Sequence, residues 1–272
     1  MTKRALVIEG GGFRSAYAAG ALLHLLKEAP DLHFDVVAAN SASVIPAAFF
    51  VTRQAKELEE FWLKDDALAS PKFLSFWRIP ISWLKPLINI DYFFHDIFRY
   101  RYRLDLEKLH EAKTEFYVTV MHHATGTRTD FSNRDPEIYE AMRASCAVPW
   151  AYNRKIYIRG ERYIDGFFDS IPLRIALEKG CTEIWIISTR PKGYRKGRLK
   201  IFEKIPVQNC RLLSKRHLYY NKTAWDIEQN PDYKILRPKE KLSVARFSND
   251  LKKLREVFLQ GKKEMEGFLK SL

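Results

Sequence analysis

Ser41 lies in a sequence pattern that suits a nucleophilic serine. The stretch Ala39-Asn40-Ser41-Ala42-Ser43 lies in an uncharged, mostly apolar segment that runs from Val36 to Thr52. A sharp turn between a buried strand and a helix requires small residues two positions before and two positions after the serine, because the two elements nearly touch there. The turn would present the Ser41 hydroxyl at the carboxyl end of the strand, where open α/β sheets bind ligands. The pattern indicates a nucleophilic serine supported by Ala39 and Ser43.

Three consecutive glycines, Gly10, Gly11 and Gly12, lie between an apolar run and a helical pattern. Their backbone N–H groups have no side chain that could shield them. Amides between the end of a strand and the start of a helix suit the stabilisation of an oxyanion or a phosphate. The alternative is a dinucleotide-binding fingerprint, but Ser15 occupies the place of its third glycine, and no acidic residue clearly ends the second strand.

A carboxylate that could work with the serine occurs much later in the chain, at Asp165. It follows the apolar pair Tyr163-Ile164, and Gly166 would let the next turn adopt an unusual backbone conformation. The seven histidines show no metal-ligand spacing such as HExxH. The sequence therefore predicts neither a metal nor another cofactor.

Strands and helices in alternation must position these residues. Short apolar runs predict strands at 4–9 and 34–39, and helical spacing predicts helices at 14–28 and 42–52. Pro46 falls in the first turn of the second helix, where a missing N–H is tolerated. This order favours a mainly parallel sheet with helices on both faces, which is a three-layer α/β/α sandwich.

The later part of the chain adds further strands and then becomes basic. Strands are predicted at 115–121 and 183–188, and hairpins are predicted around the turns at 124–127 and Gly160. Beyond Arg190 the pattern is helical to the end, with a short interruption at 233–246. We therefore expect a helical C-terminal extension packed on the α/β core.

The segment 71–103 is aromatic and basic and is broken by prolines. Tryptophan, tyrosine and basic residues favour the membrane–water interface, so the segment could be a lid or a lipid-contacting surface. The alternative is that its aromatic side chains simply cover the core. The aromatic residues concerned are Trp77, Trp83, Phe93, Phe94 and Phe98.

The chain has a net charge of +13 and a pI near 9.5, which raises nucleic acid and anionic lipid as partners. No zinc-finger, RRM or basic-zipper pattern accompanies the charge, so nucleic acid is not expected. The uncharged stretch at 36–52 is too short and too polar for a membrane span. We expect peripheral association with anionic membranes.

The three cysteines are far apart and form neither a disulfide framework nor a zinc site. The apolar run before Glu9 is too short for a signal peptide. These features favour a reducing compartment, and we expect a cytoplasmic protein with peripheral contact to the inner face of the membrane.

Taken together, the motifs resemble those of the patatin-like phospholipases. That family has a glycine-rich oxyanion loop followed by Arg or Lys, a GxSxG elbow, and a distant Asp-Gly-Gly or Asp-Gly-Ala. The matching segments here, in the same order, are Gly10-Gly11-Gly12-Phe13-Arg14, Ala39-Asn40-Ser41-Ala42-Ser43 and Asp165-Gly166-Phe167. The segments 144–149 and 169–173 also resemble the family. The implied division is a catalytic core at 1–198 and a helical extension at 199–272.

The resemblance implies a serine–aspartate dyad that hydrolyses carboxylic esters of lipids or phospholipids. Ser41 would attack the carbonyl, Asp165 would act as base or orient the proton transfer, and amides of the glycine loop up to Arg14 would hold the oxyanion.

Several motif positions depart from the family. Ala39 and Ser43 replace elbow glycines, and Ser15 and Phe167 replace small residues elsewhere. If the elbow demands a glycine-only angle, these changes would cost about 1 kcal/mol of strain, and Phe167 could narrow the pocket. The alternative function is a patatin-fold protein with weakened catalysis that binds anionic lipid surfaces.

Overall fold

The computed structural model describes residues 2–75, 86–149, 151–198, 208–248 and 250–272, with the backbone alone at 208–213. Trp77 and Trp83 of the aromatic segment lie outside the described residues.

In the described residues, one sheet of eight strands forms the centre of the molecule, in the order β5-β6-β3-β2-β1-β7-β8, with β4 paired to the other edge of β3. The five strands β1, β2, β3, β7 and β8 run parallel, and β4, β5 and β6 are joined in antiparallel pairs. Their bounds are Arg4–Ile8 (β1), Val36–Asn40 (β2), Glu115–His122 (β3), Arg128–Ser132 (β4), Ile156–Ile158 (β5), Glu161–Asp165 (β6), Glu183–Ile187 (β7) and Lys234–Leu236 (β8).

Helices cover both faces of this sheet. The α-helices are Ser15–Glu28 (α1), Val44–Val51 (α2), Ala55–Leu63 (α3), Leu106–Glu111 (α4), Ile138–Ser145 (α5), Leu173–Glu178 (α6), Gln208–Gln229 (α7) and Leu251–Lys270 (α8). Successive side chains of a strand point to opposite faces. In β1, Leu6 and Ile8 pack with α1, α2, α5 and α8, whereas Ala5 and Val7 pack with α6 and α7. The predicted three-layer α/β/α sandwich with a mainly parallel sheet is confirmed.

The register of β3 brings two distant parts of the chain together. β2 pairs with β3 as far as Asn40↔Thr119, and β6 pairs with it from Val120↔Asp165 onward. Because β4 occupies the opposite edge of β3, the ends of β2 and β6 meet on one edge. The residues that follow β2 and end β6 are therefore neighbours.

The C-terminal region contains a strand that the sequence pattern missed. β8 pairs in parallel with β7 and extends the sheet, inside the interruption predicted at 233–246. Three residues are too few for a period-2 pattern to stand out. α7 and α8 are helical as predicted, whereas the described residues 191–198 contain no helix, and the boundary at residue 198 stays a prediction.

The described part of the aromatic segment belongs to the core. Tyr92–Arg101 forms a helix with π-type hydrogen bonds, and its Phe93, Phe94 and Phe98 are buried, whereas Tyr100 is 75% exposed. The interpretation as core cover therefore holds for these three phenylalanines.

Among the residues that the structure describes, no helix is both long and apolar enough to cross a membrane. The stretch at 36–52, considered above as a span, forms β2 and α2 instead.

Candidate active site

Ser41 lies at the turn between β2 and α2, where a short 3₁₀ turn covers Ser41–Ser43. Its φ is +55°, in the left-handed region that residues other than glycine rarely adopt. Its backbone N–H donates to the hydroxyl of Ser145 at 2.8 Å. A serine held in this strained conformation between strand and helix is the geometry of a nucleophile elbow.

Asp165 is the last residue of β6 and is 2% exposed. The hydroxyl of Ser41 donates a hydrogen bond to its Oδ2 at 2.7 Å. Burial raises the pKa of Asp165 to about 6, against the hydrogen bond from Ser41 and the charge of Arg246, which both lower it. The structure thus joins the two residues that the sequence singled out, at a distance that permits direct proton transfer.

Asn40 ties the elbow to the loop after Asp165. Its Nδ2 donates to the carbonyl oxygens of Gly166 at 2.8 Å and Asp169 at 2.9 Å. A Cβ on Gly166 would stand 2.7 Å from the carbonyl oxygen of Thr119, so only glycine fits this approach. The expected support role of Gly166 therefore has a steric basis.

Phe167 packs against Phe168 and lines the site. Its ring is buried and stacks on Phe168 with centroids 4.9 Å apart. It also lines a polar cavity that contains Ser41 and Asp165. The bulky residue is thus accommodated with the Ser41–Asp165 hydrogen bond intact.

The two substituted elbow positions carry no strain. Ser43 has a φ of −78°, and Ala39 is not among the described non-glycine residues with positive φ. Ala39 is fully buried in the core, and the Ser43 hydroxyl donates to the carbonyl of Glu9 at 2.7 Å. Neither position demands a glycine angle, which differs from the strain considered above.

The glycine loop offers two amides. Gly11 and Gly12 line the same polar cavity as Ser41, and no acceptor for their N–H groups lies among the described residues. Gly12 has a φ of +60°, and a Cβ there would stand 2.4 Å from the carbonyl oxygen of Arg246. Gly10 differs from the expectation, because its N–H already donates to the carbonyl of Ser170 at 2.8 Å.

Arg14 lies behind this loop and is 4% exposed. Its N–H donates to the carbonyl of Gly11 at 3.4 Å, so its amide is also engaged. Burial, together with the charges of Arg190 and Arg246, lowers the pKa of its guanidinium to about 10. Arg14 therefore adds positive charge near the loop, while Gly11 and Gly12 hold the unengaged amides.

Two cavities meet at Ser41. The apolar one has a volume of about 100 Å³ and is lined by aromatic and aliphatic side chains such as Phe61, Phe93 and Ile45. The polar one contains Asp165, the glycines and three basic side chains, Lys196, Arg216 and Arg246.

The sequence patterns indicated no role for Ser145, Lys196, Arg216 or Arg246. Ser145 lies in the segment 144–149, whose resemblance to the family could have indicated a role for this serine. Arg216 and Arg246 had no such signal, because basic residues are spread along the whole chain.

A serine hydroxyl bonded to a carboxylate, two unengaged amides and an apolar cavity together suit attack on an acyl carbonyl. In the part of the chain that the structure describes, no group of three His, Cys, Asp or Glu side chains is arranged to hold a metal ion.

Comparison with known proteins adds two family matches. A model described as patatin-like phospholipase matches residues 6–177, and a model described as a domain of unknown function, DUF6363, matches residues 208–272. Among solved structures, VipD from Legionella pneumophila is similar, with a TM-score of 0.52 and 11% identity; the alignment covers 99% of this chain and 67% of that chain. At this identity the likeness concerns the fold alone. No curated protein matches the sequence.

Proposed function

The chain belongs to the patatin-like phospholipases, a family of lipid acyl hydrolases, and we propose that it hydrolyses carboxylic esters of lipids through a dyad of Ser41 and Asp165. The observation that carries the proposal is the 2.7 Å hydrogen bond from the Ser41 hydroxyl to Asp165 Oδ2 in a buried site.

In the first step, Ser41 Oγ forms a bond to the acyl carbonyl carbon while its proton passes to Asp165 Oδ2. The tetrahedral intermediate then collapses, the ester C–O bond breaks, and the proton on Asp165 goes to the leaving alkoxide. Water then attacks the carbonyl carbon of the acyl-serine while Asp165 takes a proton from the water, and Asp165 returns this proton to Ser41 Oγ as the acyl-serine bond breaks. The fatty acid leaves, and Ser41 recovers its proton.

The amides of Gly11 and Gly12 are the proposed donors to the oxyanion, because both glycines line the cavity of Ser41 and their N–H groups have no acceptor among the described residues. Gly10 and Arg14 would shape the loop, since their amides are engaged within the protein. The apolar cavity would hold the acyl chain, because aliphatic chains favour apolar surroundings.

The test is hydrolysis of p-nitrophenyl esters of increasing acyl length by the parent and by Ser41→Ala and Asp165→Asn. We expect turnover in the parent, loss in both variants, and an acyl-length optimum set by the apolar cavity. Ser132→Ala, on β4 with its side chain bonded to Asp135, is the matched control. Retained activity in Ser41→Ala would refute the assignment.

Lipid substrates reside in membranes, so the proposal includes peripheral association with anionic membranes, which the net charge of +13 supports. Sedimentation with anionic and with neutral vesicles measures it. Equal binding to both would contradict the electrostatic basis.

The substituted glycines motivated the alternative of a weakened enzyme that only binds lipid. The ordinary backbone at Ser43 and the 2.7 Å hydrogen bond between Ser41 and Asp165 support the hydrolase over this alternative.

A further inference from the structure

The basic side chains in the polar cavity come from the part of the chain that follows the matched catalytic region. Lys196 lies in the segment after β7, Arg216 in α7, and Arg246 between β8 and α8. Arg216 and Arg246 belong to the region matched by the domain of unknown function. This region therefore supplies one wall of the cavity beside Ser41.

Two of these side chains form no ion pair in the described part of the chain, and the carboxylate that attracts both of them, Asp165, already accepts the Ser41 hydroxyl. Neither guanidinium, of Arg216 or of Arg246, forms an ion pair or hydrogen bond there, and the Nε of Arg216 is buried without an acceptor. Burying a guanidinium without partners is costly. Burial and the neighbouring charge of Arg246 lower the pKa of Arg216 to about 10. The positive charges of Arg216 and Arg246 therefore repel each other in this cavity.

Two other half-buried arginines in the chain are paired with carboxylates. Arg128 contacts Asp130, Asp169 and Glu178, and Arg143 contacts Asp91 and Glu140. The cavity arginines lack such carboxylates.

The nearby carboxylates are already engaged. Asp165 accepts the hydroxyl of Ser41, and Glu9 accepts hydrogen bonds from Ser188, Thr189 and Tyr220. Among the described residues, neither nearby carboxylate is left to pair with the cavity arginines, so these arginines are available to an external anion.

Lys196 completes the cluster. Its Nζ donates to the hydroxyl of Ser170 at 2.7 Å and stands 3.9 Å from the centre of the Tyr220 ring. Burial and the charge of Arg246 lower its pKa well below the ordinary value. An anion in the cavity would relieve the repulsion among these groups.

We propose that Lys196, Arg216 and Arg246 form a subsite for the phosphate of a phospholipid whose ester carbonyl lies at Ser41. The proposal rests on the proposed hydrolase and adds the residues that hold the phosphate of its substrate. The two cavities meet at Ser41, so the acyl chain enters the apolar one while the phosphate enters the basic one. Guanidinium groups match the oxygen geometry of a phosphate and bind it through charge-assisted hydrogen bonds. The domain of unknown function then acts as the headgroup wall of the active site.

The test compares two substrates with the same short acyl ester, one with and one without a phosphate: a lysophosphatidic acid and the corresponding monoacylglycerol. We measure kcat/KM for both with the parent, Arg216→Gln, Arg216→Lys, and the exposed neighbour variant Lys215→Gln. We expect the parent to prefer the phosphate ester. The preference should fall about tenfold to a hundredfold in Arg216→Gln, stay closer to the parent in Arg216→Lys, and persist in Lys215→Gln.

A parent that prefers monoacylglycerol, or an equal loss on both substrates in Arg216→Gln, would overturn the subsite. Calorimetry on the Ser41→Ala chain separates this outcome from failure of the hydrolase, because it needs no turnover. Tighter binding of lysophosphatidic acid than of monoacylglycerol, lost with Arg216→Gln added, supports the subsite. Inorganic phosphate binding as tightly as the lipid would instead assign the cluster to free phosphate and overturn the headgroup role.

Discussion

The hydroxyl of Ser145 accepts the backbone N–H of Ser41 at 2.8 Å, although the two residues are 104 positions apart. Ser145 is fully buried at the end of α5, and its oxygen also lies 2.8 Å from the carbonyl of Thr119 and 3.1 Å from Asn40 Oδ1. One side chain thus connects the elbow, β3 and the end of β2. It stabilises the positive φ at Ser41, which the local sequence disfavours.

Replacing Ser145 by Ala should loosen this elbow. The change leaves the amide of Ser41 without an acceptor in a buried place, at a cost of about 1–3 kcal/mol in the free energy of unfolding. Because the nucleophile is then less well positioned, we expect kcat to fall about tenfold or more. Urea unfolding and ester hydrolysis measure the two effects. Ser271→Ala, at the exposed end of α8, is the control; an unchanged kcat in Ser145→Ala would argue against the positioning role.

The activity should depend on pH through Asp165. A base must be ionised, and burial raises the pKa of this carboxyl to about 6. We expect kcat/KM to rise about tenfold per pH unit below 6 and to level off above 7. A profile from pH 4 to 9 with a short-chain ester measures it. A flat profile across pH 5 to 7 would contradict Asp165 as the base.

Asp165 should also make the free energy of unfolding depend on pH: kcat/KM rises with pH, whereas stability falls. Its native pKa is above the ordinary value of 3.8, so the folded state binds the proton more tightly than the unfolded state. The stabilisation is fully present below about pH 4 and is lost as the pH rises through 6, by up to about 3 kcal/mol. We expect Asp165→Asn to lack this loss. Burial also raises the pKa of Asp169 to about 6. Because Asp169 is present in both proteins, its contribution to the pH dependence of stability cancels when the two are compared.

The sequence located Ser41 and Asp165 because each belongs to a local pattern of strand, turn and small residues. The fold class followed from the alternation of strands and helices in the first fifty residues. Ser145 and Arg216 could not be assigned in that way, since their roles depend on contacts with residues far away in the chain. β8 was missed for a related reason, because its pairing with β7, and not its own three residues, makes it a strand.

Restoring glycine at position 43 tests whether serine at this elbow position weakens the enzyme. Its hydroxyl donates to the carbonyl of Glu9 at 2.7 Å and so joins the elbow to the glycine loop. Ser43→Gly should lower the free energy of unfolding by about 1–2 kcal/mol, from the lost hydrogen bond and the added chain flexibility, without any gain in kcat. Ser43→Ala separates the hydroxyl from the flexibility. A rise in kcat on restoring glycine would favour the weakened-enzyme hypothesis.

Close packing of α8 on α1 should make the stability of the protein depend on α8. A Cβ on Gly261 would stand 2.0 Å from the carbonyl oxygen of Tyr17, and a Cβ on Gly20 would stand 1.8 Å from that of Phe258, so the two backbones touch at these glycines. Gly261→Ala should force the helices apart and destabilise the protein by about 1–3 kcal/mol or more.

Gly267 offers the matched control in the same helix, because nothing lies within 4 Å of a Cβ placed there. Gly267→Ala should stabilise the protein by up to about 1 kcal/mol through helix propensity alone. Thermal or urea unfolding of both variants gives the two signs. Since α1 begins directly after the glycine loop, a displaced α8 should also shift the amides of Gly11 and Gly12, so Gly261→Ala should lose ester hydrolysis as well as stability. Equal effects of the two substitutions would show that α8 does not pack on α1 in this way.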